Sequence, residues 1–425
     1  MTRPTLRALC LLMTLFAPAA VLAQVTPNLF LTVGPGEPEP GPGLLSSHIV
    51  EVDLSIVRAA PVLLVNAPGY LRVAMRTSFE ERDDGFRWAG RIDAGNEVVI
   101  TAQRGHLHVW FGGVDGRWHV HPRGAALRLS EVDTSFDFPH DQIVDPPAPP
   151  VNPDLPPTHP KSGPGTVEGG MVHIDFWILY TQAARDGAGG ENEIQAFAQH
   201  LIDVSNQALA NSGIDEVRYR LRRASMANIP DGLSANDTLL SLRGLPGLAQ
   251  MRTAYGADAV VLLAENFSDW SAGVAYIQRN PGPAFAENAL AVVSRHWTQS
   301  SPVFTHETGH LLGMEHDPDT AGLPPGASAF PWAHGHRSAV GDDPPPEPGF
   351  HTIMAYHHIN CGTPCSSVLY FSNPDIEIDL AGTPTPVGVS GERDNARVAR
   401  EVAAINAAFR DETDALMVGG FDYAL

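Results

Sequence analysis

The chain has 425 residues, 43% of them hydrophobic, which is enough for two or three domains and a sizeable buried core. Its formal net charge of −21 would repel nucleic acid and anionic membranes and argues against a phosphate-binding role. Apart from Cys10 near the start of the chain there are two cysteines, Cys361 and Cys365, which cannot form a four-cysteine structural zinc site, so a metal ion would depend on histidine and carboxylate ligands.

The first 23 residues have the pattern of a secretory signal peptide. Arg3 and Arg7 precede an apolar run, and Val21-Leu22-Ala23 is the small-residue pattern at which signal peptidase cuts. A transmembrane anchor is the alternative, but the apolar run is short and no stop-transfer segment follows it. We therefore expect an exported protein with no membrane anchor, whose mature chain begins near Gln24.

Composition divides the rest of the chain into three parts. Residues 28–43 are rich in Gly and Pro, which predicts a disordered leader. The short apolar runs that follow, separated by turn residues, predict a small β-rich domain. Together these segments make residues 24–143 one N-terminal unit. The many prolines of residues 144–170 favour extended, solvated backbone and predict a linker. Residues 171–425 would form the last domain.

The last domain alternates predicted strands and helices, a pattern that indicates an α/β (α+β) fold with a twisted, mostly parallel sheet and covering helices. A helix is predicted to end at Gly213, where the chain can take a left-handed conformation. The predicted strands are Val172–Tyr180, Val217–Leu221, Ala259–Ala264, Gly273–Ile277 and Leu290–Ser294, and the predicted helices are Glu191–Asn211, Leu239–Tyr255 and Asn395–Arg410.

One stretch of this domain carries the spacing of a catalytic metal site. On a helix His306 and His310 lie four residues apart, so both imidazoles project from one face and can bind one ion. Glu307 lies beside the first ligand, within reach of a water on that ion. Gly313 can end the helix and return the chain, which brings His316 to the third ligand position. The alternative is a surface helix that is rich in histidine by chance.

Other polar residues nearby are weaker candidates for metal binding. Five histidines lack helical spacing to a second ligand and are left out of the predicted site: His334, His336, His351, His357 and His358. A calcium site is a further alternative, but the acidic residues lack the alternating spacing of a calcium loop: Asp317, Asp319, Asp342 and Asp343. We expect Asp317 to anchor local structure through charge-assisted hydrogen bonds.

The chain resembles the metzincin zinc metalloendopeptidases over about residues 171–411. The stretch from His306 to His316 matches their extended zinc motif, and Thr352-Ile353-Met354-Ala355-Tyr356 resembles their Met-turn. Further residues are similar to the reprolysin-like branch, especially to secreted bacterial proteins related to peptidyl-Asp metalloendopeptidases: Asp317, Tyr370-Phe371-Ser372-Asn373-Pro374 and Asp394-Asn395-Ala396-Arg397.

The resemblance implies a catalytic domain in two parts, with the cleft between a sheet-and-helix upper half and an irregular lower half that begins at Gly313. Met354 would lie beneath the zinc as a hydrophobic floor. Tyr356 matches a tyrosine that reaches the zinc or the transition state in some metzincins, and a packed tyrosine is the alternative. A substrate peptide would extend the sheet near Gly273–Ile277.

The expected activity is the hydrolysis of protein or peptide substrates with one catalytic Zn²⁺ ion, held by His306, His310 and His316. Glu307 would act as the general base on the zinc-bound water. A secreted binding or adhesion protein with a non-catalytic zinc site and a zinc amidase that acts on cell-wall material remain open alternatives. Cleavage specificity, including any preference for Asp, and oligomeric state are left open.

Two further expectations follow from export. Cys361 and Cys365 remain once Cys10 leaves with the signal peptide, and we expect them to form a disulfide. Residues 24–143 are expected to be an inhibitory propeptide that is released by cleavage in the linker, with a permanent accessory domain as the alternative. No cysteine lies between Gln24 and Asn360, so inhibition would require a carboxylate, a histidine or occlusion of the cleft.

Overall fold

The computed structural model describes residues 26–35, 43–134, 142–147, 167–168, 170–324, 326–338, 348–357, 361 and 365–411. The predicted signal peptide and most of the predicted linker lie outside these residues. The described chain has a mixed α/β structure with two large sheets, so the predicted mixed class is confirmed. None of its helices is long and apolar enough to cross a membrane.

The first sheet is an antiparallel meander. Its elements are β1 (Thr32–Val33), β2 (Leu44–Glu51), the helix α1 (Leu54–Ala59), β3 (Val62–Ala67), β4 (Tyr70–Arg82), β5 (Gly85–Asp93), β6 (Asn96–Gln103), β7 (His106–Gly113), β8 (Gly116–Arg123) and β9 (Ala126–Val132). The strand order is β1-β2-β9-β8-β7-β6-β5-β4-β3. Gly105 and Gly124 lie in two of the hairpin turns with φ of 82° and 60°, values that glycine adopts without strain.

The start of the predicted leader is part of this sheet. Leu29 and Phe30 are buried in its core, and the Leu29 N–H donates to the Leu64 carbonyl at 2.8 Å. The prediction of disorder is therefore wrong for residues 28–35. The favourable free energy of burying these two large apolar side chains exceeds the conformational entropy cost of ordering the segment. Residues 36–42 lie outside the described residues.

The rest of the described chain contains the second sheet, its helices and two small strand pairs. The elements are β10 (Gln142–Val144), β11 (Val167–Glu168), β12 (Met171–Tyr180), α2 (Gln182–Ala188), α3 (Glu191–Asn211), β13 (Val217–Met226), α4 (Ala235–Arg243), α5 (Leu248–Tyr255), β14 (Ala259–Ala264), β15 (Gly273–Tyr276), a 3-10 helix (Pro283–Asn288), β16 (Leu290–Ser294), α6 (Arg295–Thr298), α7 (Val303–Leu311), α8 (Pro318–Ala321), β17 (Gly349–His351), β18 (Cys365–Ser367), β19 (Glu377–Leu380), β20 (Thr383–Pro386) and α9 (Asn395–Asn406).

The order of the second sheet is β10-β15-β16-β14-β12-β11, and β13 also pairs with β12. The pairings β10/β15, β12/β13, β12/β14 and β14/β16 are parallel, whereas β15/β16 and β11/β12 are antiparallel. The predicted boundary between residues 143 and 144 falls inside β10. Two small pairs, β17/β18 and β19/β20, lie in the irregular C-terminal part.

One predicted helix is wrong in detail. The segment from Leu239 to Tyr255 is not one helix, because α4 ends at Arg243 and α5 begins at Leu248. Pro246 lies between them and has no N–H to donate to a helix, and Gly247 has a φ of 82°. The predicted disulfide between Cys361 and Cys365 is present, and it closes the loop that precedes β18.

The first sheet packs against α3 of the second half. Arg82 donates to both carboxylate oxygens of Asp203, at 2.9 and 2.7 Å. Thr101 donates to the same carboxylate at 2.8 Å, and its hydroxyl lies 2.9 Å from Nδ1 of His200. Val99 and Trp110 belong to the same apolar core as α3. These contacts place the meander on α3.

The histidines of this interface make its stability depend on pH. Burial lowers the pKa of His200 to about 4, although the neighbouring Asp203 carboxylate acts in the opposite direction. His108 stacks on His200 with ring centroids 5.4 Å apart, and burial, followed by the charges of nearby histidines, lowers its pKa well below the usual value. In the unfolded chain both groups would titrate near 6.5.

We therefore expect the free energy of unfolding to fall as the pH is lowered from about 6.5 to about 4, because the unfolded chain binds more protons in this window. His200 alone should contribute a loss of about 3 kcal/mol. Urea unfolding of wild type and His200→Gln at pH 7 and pH 4.5 measures this loss. The variant should lose less stability than wild type, and an equal loss in both proteins would contradict the assignment.

Candidate metal centre

The helix α7 carries the first part of the predicted zinc motif. All nine of its residues are buried, and the rings of His306 and His310 have centroids 4.9 Å apart on one face. The hydroxyls of Ser205 on α3 and Thr305 on α7 lie 2.9 Å apart and join the two helices. The predicted helical spacing thus places both imidazoles in the interior of the fold.

The helix ends as predicted at Gly313. The N–H of Gly313, whose φ is 87°, donates to the His310 carbonyl at 2.9 Å, and the Met314 N–H donates to the Gly309 carbonyl at 3.1 Å. This pair of bonds is a Schellman motif. A Cβ at Gly313 would lie 2.6 Å from the Gln278 carbonyl oxygen, so both the close approach and the left-handed backbone require glycine.

Backbone hydrogen bonds then return the chain to the helix. The Glu315 N–H donates to the Ala333 carbonyl at 2.7 Å, and the Asp317 N–H donates to the Met354 carbonyl at 3.1 Å. Between them, His316 lies with its ring centroid 4.9 Å from that of His310. The structure therefore brings the third predicted ligand to the first two.

Asp317 anchors this return through its carboxylate, as expected from the sequence. It accepts the N–H of Thr320 at 3.2 Å and the N–H of Tyr356 at 3.4 Å. It also accepts the Thr320 hydroxyl at 2.7 Å and forms an ion pair with Arg337 at 3.2 Å, and the same guanidinium pairs with Asp319. Both acids thus have a cationic partner, which gives no support to a calcium site. Asp342 and Asp343 lie outside the described residues.

The three imidazoles meet at their Nε2 atoms. Nδ1 of His306 lies 2.7 Å from the Ile353 carbonyl oxygen, and Nδ1 of His310 lies 2.7 Å from that of Met314. Each Nδ1 therefore donates its proton, and Nε2 keeps a lone pair for a metal. Nε2 of His306 and Nε2 of His316 are 3.1 Å apart, close to the roughly 3.3 Å between two nitrogens that bind one tetrahedral zinc. These residues fit a zinc ion.

Within the described ranges, the three histidines are the single group of three or more metal-binding side chains whose ligand atoms all lie within 4.8 Å of one another. His334 supports the site instead of joining it, since its Nδ1 lies 2.8 Å from the His316 carbonyl oxygen. His336 and His351 are buried outside this group, and His357 is not part of it. His358 lies outside the described residues.

Met354 lies directly against α7. It is fully buried, and a Cβ at Gly309 would lie 2.7 Å from its sulfur. Gly309 directly precedes the ligand His310, so the thioether packs against the helix that carries the first two ligands. The residue predicted as a hydrophobic floor, Met354, therefore makes a packing contact that is possible because Gly309 has no side chain.

Glu307 faces the first residue of β15. Its side chain is fully buried, and a Cβ at Gly273 would overlap its carboxylate. Strand β15 pairs with β16 on one side and with the short strand β10 on the other, so the carboxylate lies at the start of the last strand but one of the sheet. Only glycine at position 273 leaves room for Glu307 in this position.

The ring of Tyr356 lies beside two of the ligands. Its centroid is 4.9 Å from that of His316, in an edge-on arrangement, and 5.8 Å from that of His306. The side chain is almost completely buried. The structure thus places the predicted tyrosine next to the metal-binding group, while a role for its hydroxyl in catalysis stays a prediction.

We expect Tyr356→Phe to lower the turnover number by about tenfold to a hundredfold with little change in the free energy of unfolding, because the ring is kept and one hydrogen-bond donor is lost. Hydrolysis of labelled casein and urea unfolding of the same protein samples measure the two quantities. Unchanged turnover would assign Tyr356 to packing alone.

Sequence reasoning missed a buried ion pair beside His316. The Arg279 guanidinium donates to the fully buried Glu315 carboxylate at 2.6 Å and also pairs with Asp145. Glu315 was visible within the zinc motif, but nothing in the sequence indicated which cation would lie against it. A cavity of about 340 Å³ adjoins this pair, lined by Ile143, Arg279, Glu315, His316, Thr320, Ala321 and Tyr356.

Comparison with known proteins agrees with this geometry. Residues 172–372 match the family model described as Reprolysin_5, Metallo-peptidase family M12. The match supports a metallopeptidase. Peptidases of this kind act on proteins or peptides, and the three histidines are a metal-binding group within the matched region. No curated protein matches the chain.

Two solved structures are similar to this chain at low sequence identity. One is titled "Structure of a chaperone-substrate complex" and is 17% identical, with a TM-score of 0.43 over 57% of this chain and 36% of that chain. The other, "Crystal Structure of metalloproteinase-II from Bacteroides fragilis", is 10% identical, with a TM-score of 0.39 over 60% of this chain and 81% of that chain. This chain thus spans about a third of the first structure, and neither likeness carries a functional argument.

Proposed function

We propose that this protein is a secreted zinc-dependent metalloendopeptidase of the reprolysin-like branch of the metzincins. The observation that carries the proposal is the convergence of His306, His310 and His316 at their ligand atoms, beside the buried carboxylate of Glu307. A structural zinc site would have four protein ligands and no need for an adjacent base. Three histidine ligands and one glutamate base are the protein groups that zinc-dependent hydrolysis would require.

The three histidines would hold the ion through Nε2, with the tautomers of His306 and His310 fixed by backbone carbonyls. The chemistry that a zinc ion supplies in such a site is polarisation of the scissile carbonyl and a lower pKa of the attacking water. Ligands fixed by helix α7 and the Gly313 turn are already in place, so little reorganisation is needed when the metal binds.

Glu307 would accept a proton from the attacking water and donate it to the leaving amine. Its contact with Gly273 holds the carboxylate at the start of β15, the strand along which a substrate peptide would extend the sheet. Tyr356 would donate a hydrogen bond from its hydroxyl to the negative charge that develops on the carbonyl oxygen. In this arrangement Glu307, the substrate peptide and Tyr356 would all lie around the scissile bond.

Export is proposed from the first 23 residues and agrees with the disulfide between Cys361 and Cys365, because disulfides persist in oxidising compartments. A binding protein with a non-catalytic zinc site is less favoured because it would give no role to the buried Glu307. An amidase acting on cell-wall material uses the same metal chemistry and differs only in the bond that is cut, so substrate assays must separate it.

The test is hydrolysis of fluorescein-labelled casein by the zinc-loaded protein, before and after cutting at Lys161 with endoproteinase Lys-C. Lys161 is the only lysine in the chain, so this protease opens the predicted linker at one point. We expect hydrolysis that 1,10-phenanthroline abolishes and that added Zn²⁺ restores. Intact casein in the presence of one bound zinc ion would overturn the proposal, and release of peptides from peptidoglycan in that case would identify the amidase.

A further inference from the structure

The most exposed large apolar side chain among the described residues is that of Trp270, which is 66% exposed. The other six tryptophans of the chain are buried or partly buried. Trp270 lies in the loop between β14 and β15, three residues before Gly273. A single exposed apolar residue is common on protein surfaces, but this one also has a backbone conformation that bulky residues avoid.

The φ of Trp270 is 61°, in the left-handed region where glycine and asparagine are the usual residues. Hydrogen bonds on both sides hold this conformation. The Trp270 N–H donates to the Phe267 carbonyl at 3.2 Å. The Asp269 carboxylate accepts the N–H of Ser271 at 3.2 Å and that of Ala235 at 3.3 Å. Glycine would relieve the backbone strain and a polar residue would suit the exposure, so the stability of the fold does not account for a tryptophan here.

The short connection to Gly273 places Trp270 close to the proposed general base. Gly273 lies against the Glu307 carboxylate, and three residues of chain span at most about 11 Å. The pairing of β15 with β10 begins at Val274, so Trp270 precedes the part of the strand that β10 covers. An extended peptide advances about 3.3 Å per residue. With its scissile bond at Glu307, its residues two or three positions away would pass within reach of the indole ring.

We propose that Trp270 is a specificity-determining residue, whose indole ring contacts a large apolar side chain of the substrate two or three residues from the scissile bond. This inference rests on the proposed function, because it concerns the substrate class of the same site. A ring with two side-chain torsions on a hydrogen-bonded loop loses little conformational entropy when it binds. The contact would therefore increase the affinity for apolar peptides and take no part in the chemical step.

The first test is hydrolysis of fluorescein-labelled casein by the zinc-loaded Trp270→Ala variant. Loss of the ring should raise KM about tenfold and leave kcat within about twofold of wild type, because it removes binding that does not change during the reaction. Trp270→Phe should keep most of the affinity, since it keeps an aromatic ring. Leu240→Ala is the matched control, because Leu240 on α4 is also largely exposed and its loss should change neither constant.

The cleavage sites in casein, mapped by mass spectrometry, identify the substrate residue that is recognised. Wild type should favour large apolar residues at a position two or three residues from the cut, and Trp270→Ala should lose this preference. Binding is followed by fluorine NMR of the Glu307→Gln protein labelled with 5-fluorotryptophan. The chain has seven tryptophans, and Trp270→Phe in this background identifies the Trp270 signal. Casein should shift or broaden this signal more than the other six.

An unchanged KM in Trp270→Ala, an unchanged cleavage preference or a Trp270 signal that casein leaves unperturbed would each overturn the inference. So would a fall in kcat together with a lower melting temperature, because the ring would then support the fold and not the substrate. The proposed function fails separately, if wild type does not hydrolyse casein. Equal hydrolysis by wild type and Trp270→Ala would leave the proposed function in place and remove Trp270 from it.

Discussion

Glu307→Gln should lower the rate of casein hydrolysis by roughly three to four orders of magnitude while the protein still binds one zinc ion. The change removes the base but keeps the size of the side chain that packs against Gly273. Because His306, His310 and His316 are untouched, the metal site should keep its affinity. Zinc content after dialysis and the initial rate of hydrolysis measure the two effects.

The matched control for this variant is Glu216→Gln. Glu216 is a partly exposed carboxylate that pairs with Arg400 at 3.1 Å, and its neutralisation should leave both zinc content and rate near those of wild type. Retention of more than about a tenth of the activity in Glu307→Gln would contradict its assignment as general base. Loss of zinc in this variant would instead indicate that the glutamate is a ligand.

His316→Ala should abolish zinc binding and activity together, and His306→Ala and His310→Ala should do the same. Each change removes one of three protein ligands, and the ligand atoms are held close together by the fold even before an ion is bound. The apparent affinity for zinc should fall by several orders of magnitude, which competition with a chromogenic chelator measures. Wild-type affinity in any one of the three would show that the ligand set is wrong.

A second readout separates loss of metal from loss of fold. Zinc should raise the melting temperature of wild type, because an ion that binds only the folded state stabilises it, and it should not raise that of His316→Ala. His48→Ala is the control, since His48 lies in the N-terminal sheet with its Nδ1 3.2 Å from the Gly34 carbonyl oxygen. This variant should keep the zinc-dependent shift.

The sequence by itself determined the features that depend on local spacing. Two histidines four residues apart share a helix face in any α-helix, and Gly313 ends α7 because glycine adopts the left-handed backbone at little cost. The strands β14 and β16 and the helix α3 have the predicted bounds, since their apolar runs are long and end at clear breaks. The disulfide between Cys361 and Cys365 closes a loop of only three residues, which also makes it a local feature.

The tertiary structure decided everything that depends on which distant segments meet. Leu29 and Phe30 are ordered because they are buried in a core formed by residues far along the chain. The Glu307 side chain fits because residue 273, on strand β15, is a glycine. Arg279 can pair with Glu315 and Asp145 only when β10, β15 and the segment that follows α7 lie next to one another. Short-range patterns predict backbone geometry, whereas such contacts arise from packing between elements that sequence spacing does not encode.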